Sequence, residues 1–77
     1  MTRAAAPLML EPGQRELLES LAKSRTAEHR LVQRARVLLH AADGMANAEI
    51  GALAGVTRMT VRAWRSEFAE RGLADLG

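Results

Sequence analysis

Cysteine and tyrosine are absent from these 77 residues, and the aromatic complement is one tryptophan and one phenylalanine. Without thiols there is neither a disulfide framework nor a thiolate-bound zinc, so folding rests on side-chain packing alone, a pattern suited to a reducing compartment. Proline is confined to Pro7 and Pro12, near the start of the chain. Apolar runs are short: Ala4 to Leu10 and Val37 to Ala42 are the longest, well under the roughly 20 residues that span a bilayer. Met1-Thr2-Arg3 itself lacks a signal peptide's h-region and cleavage site, so no signal peptide is expected. A cytoplasmic, soluble protein with no membrane partner is expected. Lysine is scarce too, Lys23 standing against ten arginines, a bias that favours bidentate contacts to phosphate and guanine. A chain this short makes one domain and buries only about 60% of its unfolded surface, so neither a large catalytic cleft nor a small-molecule substrate site is expected.

The formal net charge of +2 conceals an uneven distribution. Residues 11–19 carry Glu11, Glu16 and Glu19 against Arg15, net −2, whereas residues 23–36 carry Lys23, Arg25, Arg30, Arg34 and Arg36 against Glu28, net +4. Residues 57–71 add four arginines and two glutamates, net +2. Basic charge gathered on two segments can orient a small protein on a polyanion even when the total is low. Solvated helix faces would give the same count, so the charge gains meaning only beside a motif.

Periodicity predicts four helices and no strand. Residues 1–11 read as a flexible arm, and residues 12–77 as the folded domain. Pro12 suits a first helical position, and Leu17, Leu18 and Leu21 mark an apolar stripe running to about Lys23. Thr26 is placed to cap a second helix, about Ala27 to Ala42, which buries Leu31, Val32, Ala35, Leu38, Leu39 and Ala42 and stops at Asp43-Gly44. A third helix begins near Asn47 or Ala48 and runs to Ala54. The fourth follows Thr57, passes through Trp64 and Phe68, and ends at Arg71-Gly72, with Leu73 and Leu76 folding back over its end.

The most informative stretch is Asn47 to Ser66, NAEIGALAGVTRMTVRAWRS. Two amphipathic helical patterns meet there at Gly55, the spacing of a helix-turn-helix, whose short turn favours positive φ and whose crossing point needs a small residue. Gly51, one helical turn earlier, supplies that close approach. Ile50, Ala54, Val56, Val61 and Trp64 then fall on the buried side. Arg58, Met59, Arg62, Ala63, Arg65 and Ser66 point elsewhere, as a helix lying in the major groove would present them.

On Arg25-Thr26 with the basic helix after it, on Ala48-Glu49-Ile50, Gly55-Val56-Thr57, Thr60-Val61 and Trp64, and on the Arg71-Gly72-Leu73 ending, the chain from Glu11 to Leu76 resembles a known family. It is similar to the N-terminal helix-turn-helix region of bacterial insertion-sequence transposases of the mariner-related superfamily, itself homeodomain-like. The resemblance implies an all-α, four-helix, homeodomain-like fold that recognises the terminal repeats of a mobile element. In that family a separate ribonuclease-H-like domain downstream cuts and joins DNA; no such portion lies within this sequence, and the expectation is of the recognition module without its catalytic domain. Three positions depart from the family pattern. Ala46 replaces a hydroxyl cap, so that either Asn47 caps instead or the helix frays, at a cost of about 1 kcal/mol. Glu11 replaces another hydroxyl, and Gly51 replaces the more usual alanine.

The expected DNA-binding set is Asn47, Thr57, Arg58, Met59, Thr60, Arg62, Ala63, Arg65 and Ser66. Thr57 and Thr60 offer hydroxyls and backbone amides to a phosphate at the positive end of the fourth helix. Arg58 or Arg62 suits guanine, Met59 and Ala63 a thymine methyl, and Asn47 the backbone. Arg30, Arg34 and Arg36, with Arg3 on the arm, would add contacts outside the groove. No catalytic residue, metal ligand or cofactor site is expected: His29 and His40 lie about 16 Å apart along one helix, too far for a common metal, and no nucleophile–base pair or phosphate loop occurs. Double-stranded DNA is the expected partner, at the nucleoid, with a homodimer or a downstream catalytic domain as further partners. The alternatives are a stand-alone transcriptional regulator and, from another class, a small helical interaction or dimerisation module.

Overall fold

A computed structural model describes residues 7–72. Among them are four helices, α1 (Pro12–Ala22), α2 (His29–Ala42), α3 (Asn47–Ala54) and α4 (Arg58–Arg71), an all-α arrangement as the periodicity predicted. Arg3, Leu73 and Leu76 lie outside the described residues.

α2 is the central rod, and it carries two apolar faces because it has neighbours on two sides. Ala35 and Leu38 join Leu18 of α1 and Phe68 of α4 in one cluster. Val37 and Ala41, one helical turn apart, join Ile50 of α3 and Val61 of α4 in the other. A single-stripe reading of α2 therefore missed Val37 and Ala41, while Leu31, Val32, Leu39 and Ala42 are only half-buried. The same geometry corrects α1. Consecutive helical positions lie about 100° apart, so once Leu18 turns inward Leu17 is carried outward, and it stands 53% exposed.

The segment before α1 is not free of the fold where it is described. The Leu8 amide donates to the Ala41 carbonyl at 2.9 Å, and the Leu8 side chain packs against both clusters. The arm expected over residues 1–11 is thus tied to α2 at Leu8, and Leu10 packs on the Leu18–Phe68 cluster while Met9 stays exposed. α1 starts at Pro12, and the Gln14 side chain accepts from the Glu11 amide at 2.9 Å. Arg15 ties α1 to the end of α2 through Asp43, at 3.2 Å.

Helix starts differ from expectation at two places. Ser24, not Thr26, holds the turn before α2, its hydroxyl accepting from the amides of Thr26 and Ala27 at 3.2 and 3.0 Å. Those residues are thereby kept in the turn and α2 begins later, at His29, behind a Glu28 that makes no side-chain cap. Asn47 does not cap α3 either; it is the first helical residue, and Ala46 takes the cap position without a side-chain bond.

The α3–α4 turn follows the sequence closely. Gly55 adopts φ +76°, the left-handed conformation that a side chain disfavours, and the Val56 amide returns to the Gly51 carbonyl at 2.9 Å, the long-range bond of a Schellman ending. α4 then opens on Thr57, whose hydroxyl accepts from the Thr60 amide at 3.1 Å. Gly51 is buried, and a Cβ there would sit 2.6 Å from the Val56 carbonyl oxygen and 3.3 Å from the Arg58 nitrogen. Both neighbours are backbone, so the crossing has no flexible atom to move aside.

Arginines on α2 hold the helices together. Arg34 pairs with Glu67 of α4 and lies over the Trp64 ring at 5.4 Å. Arg36 donates to the Ala22 carbonyl at the end of α1, at 3.4 Å. Gln33 donates to the Ala54 carbonyl at the end of α3, at 2.6 Å, satisfying an acceptor that the helix leaves open.

Two pairs of substitutions test this account by urea or thermal unfolding. Gly51→Ala is expected to destabilise by about 1–3 kcal/mol through overpacking. Gly13→Ala, with nothing within 4 Å of the new methyl, should instead stabilise by about 0.5–1 kcal/mol. Arg34→Ala should cost about 1–2 kcal/mol by losing the stacked, paired guanidinium, while Arg58→Ala on the exposed face should stay within about 0.5 kcal/mol of the parent.

Candidate nucleic-acid interface

The outer face of α4 is defined by what the inner face must bury. Phe68 and Val61 point into the two clusters, and Trp64 is half-buried against the Val61 cluster with Arg34 over its ring. Trp64 flanks the core, with Val61 and Phe68 as its fully packed anchors. Positions 59, 62, 63 and 66, at the i, i+3, i+4 and i+7 spacing of one helical face, are all exposed.

These four residues line an open concavity of about 470 Å³ together with Asn47 and Arg65. Asn47 reaches it from the first turn of α3, so the hollow spans both helices of the motif. Six of the nine residues expected to meet DNA are thereby brought to one surface. Thr57, Arg58 and Thr60 lie beside it, in the cap and first turn of α4. Thr57 and Arg58 are exposed and Thr60 is half-buried. The two threonine hydroxyls are 3.1 Å apart, and the cap consumes the Thr60 amide, leaving the amides of Arg58 and Met59 at the helix start without an intrahelical acceptor.

Two arginines and no carboxylate line the hollow. Glu67, one residue beyond Ser66, is drawn across to Arg34 on α2 and so does not oppose the basic face. Met59 is 73% exposed, which is costly for a large apolar side chain in water and useful against an apolar contact. Arg65 is half-buried and lines this hollow as well as the groove beside residues 7–11. The oxygen of the Asn47 side chain is enclosed without a hydrogen-bond partner among the described residues.

The remaining basic residues divide. Arg34, expected as an outlying phosphate contact, is engaged with Glu67 and Trp64, and Arg36, expected likewise, donates to the Ala22 carbonyl while staying exposed. Arg30 pairs with Glu28 at 3.4 Å but both side chains are largely exposed, so Arg30 remains free to exchange partners. Sequence spacing could not reveal the internal roles, because Arg34–Glu67 and Arg36–Ala22 join positions far apart in the chain. No three of the described His, Asp or Glu residues come together as a metal site, and no described helix is long and apolar enough to cross a membrane.

No curated protein and no solved structure matches the chain. The family of homeodomain-like domains matches residues 28–77, which takes in α2, α3 and α4 and the concavity between the last two. The chain belongs to this homeodomain-like family of helix-turn-helix domains, a membership that implies DNA binding.

Proposed function

We propose that the chain recognises a particular duplex sequence by laying α4 in the major groove, with residues 12–77 as the binding unit. The observation that carries this reading is the concavity lined by Asn47, Met59, Arg62, Ala63, Arg65 and Ser66, basic and free of carboxylates. Arg62 reads a base edge, with guanine O6 and N7 the acceptors that match its fork, and Arg58 reads a second base or its flanking phosphate. Met59 and Ala63 supply apolar contact. Thr57, Thr60 and the amides at the start of α4 hold a phosphate where the helix dipole is positive, and Asn47 holds the next along the strand. Ser66 and Arg65 extend the contact toward the far end of the hollow.

The resemblance to transposase helix-turn-helix regions supports a more specific assignment: the module that recognises the ends of a mobile element, acting in the cytoplasm at the nucleoid. It works by positioning DNA and leaves the chemistry to another domain.

Selection of preferred duplexes from a random pool, followed by anisotropy titration, tests the reading. Affinity should fall with salt at a double-logarithmic slope of about −0.9 per phosphate neutralised. Arg62→Ala should relax the selected sequence at one position, with a discrimination loss of about 1–3 kcal/mol and unchanged helicity. Arg30→Ala should at most weaken all sequences alike and make the slope shallower by about 1. Absence of binding to any duplex at low ionic strength would overturn the proposal.

A further inference from the structure

A second concavity, of about 350 Å³, lies on a face to which α4 contributes nothing. Arg25 of the α1–α2 turn, His29, Arg36 and His40 of α2, and the exposed Leu53 at the end of α3 converge on it around the half-buried Val32. No carboxylate lines it. Leu53 is 66% exposed on the same hollow as the guanidiniums of Arg25 and Arg36, so the hollow offers positive charge and an apolar wall together. Nucleic acid would be met by the charge but not by the leucine; a polypeptide carrying a carboxylate next to an aliphatic side chain would meet both.

The same chain presents such a surface. On α1, Gly13, Glu16, Leu17 and Ser20 are all exposed and fall at i, i+3, i+4 and i+7, a single outward stripe. Leu17 stands 53% exposed at its centre, and Glu16 makes no ion pair among the described residues. The acidic residues 11–19, net −2, and the basic residues 23–36, net +4, are neighbours in sequence. Glu16 is exposed and is not part of the lining of this hollow in its own chain.

The geometry points to a second copy of this chain as the occupant: the Glu16–Leu17 stripe of one molecule seats in the Arg25–Leu53 hollow of another. Leu17 covers Leu53 and Val32 while Glu16 meets Arg25. Such a contact is small, and contacts of that size are weak and transient in free solution. Two copies held on neighbouring DNA sites would be reinforced by proximity without any new contact, and α4 stays uncovered throughout.

The test needs no DNA, so its failure is separate from failure of the DNA reading. Sedimentation equilibrium of the wild-type chain at low ionic strength should show a mass rising above the 8.4 kDa of one chain as concentration increases, and falling back in high salt. Leu17→Asp and Leu53→Asp should each remain monomeric. Mixed in equal amounts they should associate again, because each retains the half the other lacks. Glu16→Arg and Arg25→Glu change only exposed charges and report the same pairing should an aspartate variant unfold: each alone monomeric, the mixture associating. A wild-type chain that stays monomeric at millimolar concentration, or mixtures that fail to associate, would overturn the inference.

Discussion

The α3–α4 crossing at Gly51 is the constraint on which the remaining geometry depends. Its Cα lies so near the Val56 carbonyl that a methyl would collide with backbone, and the Gly51 carbonyl in turn accepts the Val56 amide. With both groups locked, the angle between the two helices of the motif is set by main chain, which does not repack. Ile50 and Val61 then meet in the same cluster, Thr57 falls where its hydroxyl can cap α4, and the face of α4 opposite the cluster is delivered with Asn47 beside it. A rigid presentation of this kind suits a reader of base edges, where bidentate hydrogen bonds tolerate little angular error.

Charge is sorted as carefully as apolar surface. The arginines divide into those that act as internal braces and those that remain on the outer face. Arg34 and Arg36 fasten α2 to α4 and α1, using a side chain that can stack, pair and donate at once. Arg58 and Arg62 are left exposed on α4. The low net charge is therefore compatible with a locally cationic surface, because Glu67 is drawn to Arg34 and no carboxylate lines the hollow on α4.

Local signals were legible in the sequence, and distant ones were not. Gly55, Thr57 and the 3.6-residue periodicity identified the turn, the cap and the exposed positions 58, 59, 62, 63 and 66 of α4, because each depends on residues within a turn or two, whereas Arg65, read as outward, is half-buried. Leu17 was misplaced because a run of leucines does not say which one faces a neighbour. Val37 and Ala41 were missed because their apolar face exists only once α3 and α4 pack on a second side of α2. Thr26 looked like a cap, but the better-placed Ser24 hydroxyl took the turn amides. Arg34 was read as a phosphate contact, since its true partners, Glu67 and Trp64, lie some thirty positions away.

The brace at Arg34 has a bearing on how mutational scans of such domains are read. By holding Glu67 on the far flank of α4, this guanidinium suppresses an anion that would otherwise sit one residue beyond Ser66 and repel phosphate. On the proposed function, in which α4 is the reading helix, loss of Arg34 would then weaken nucleic-acid affinity twice over, by loosening that helix and by unmasking a negative charge on it. A residue that never touches the ligand would score as a contact, and only reversal of the deficit by neutralising Glu67 would betray its indirect role.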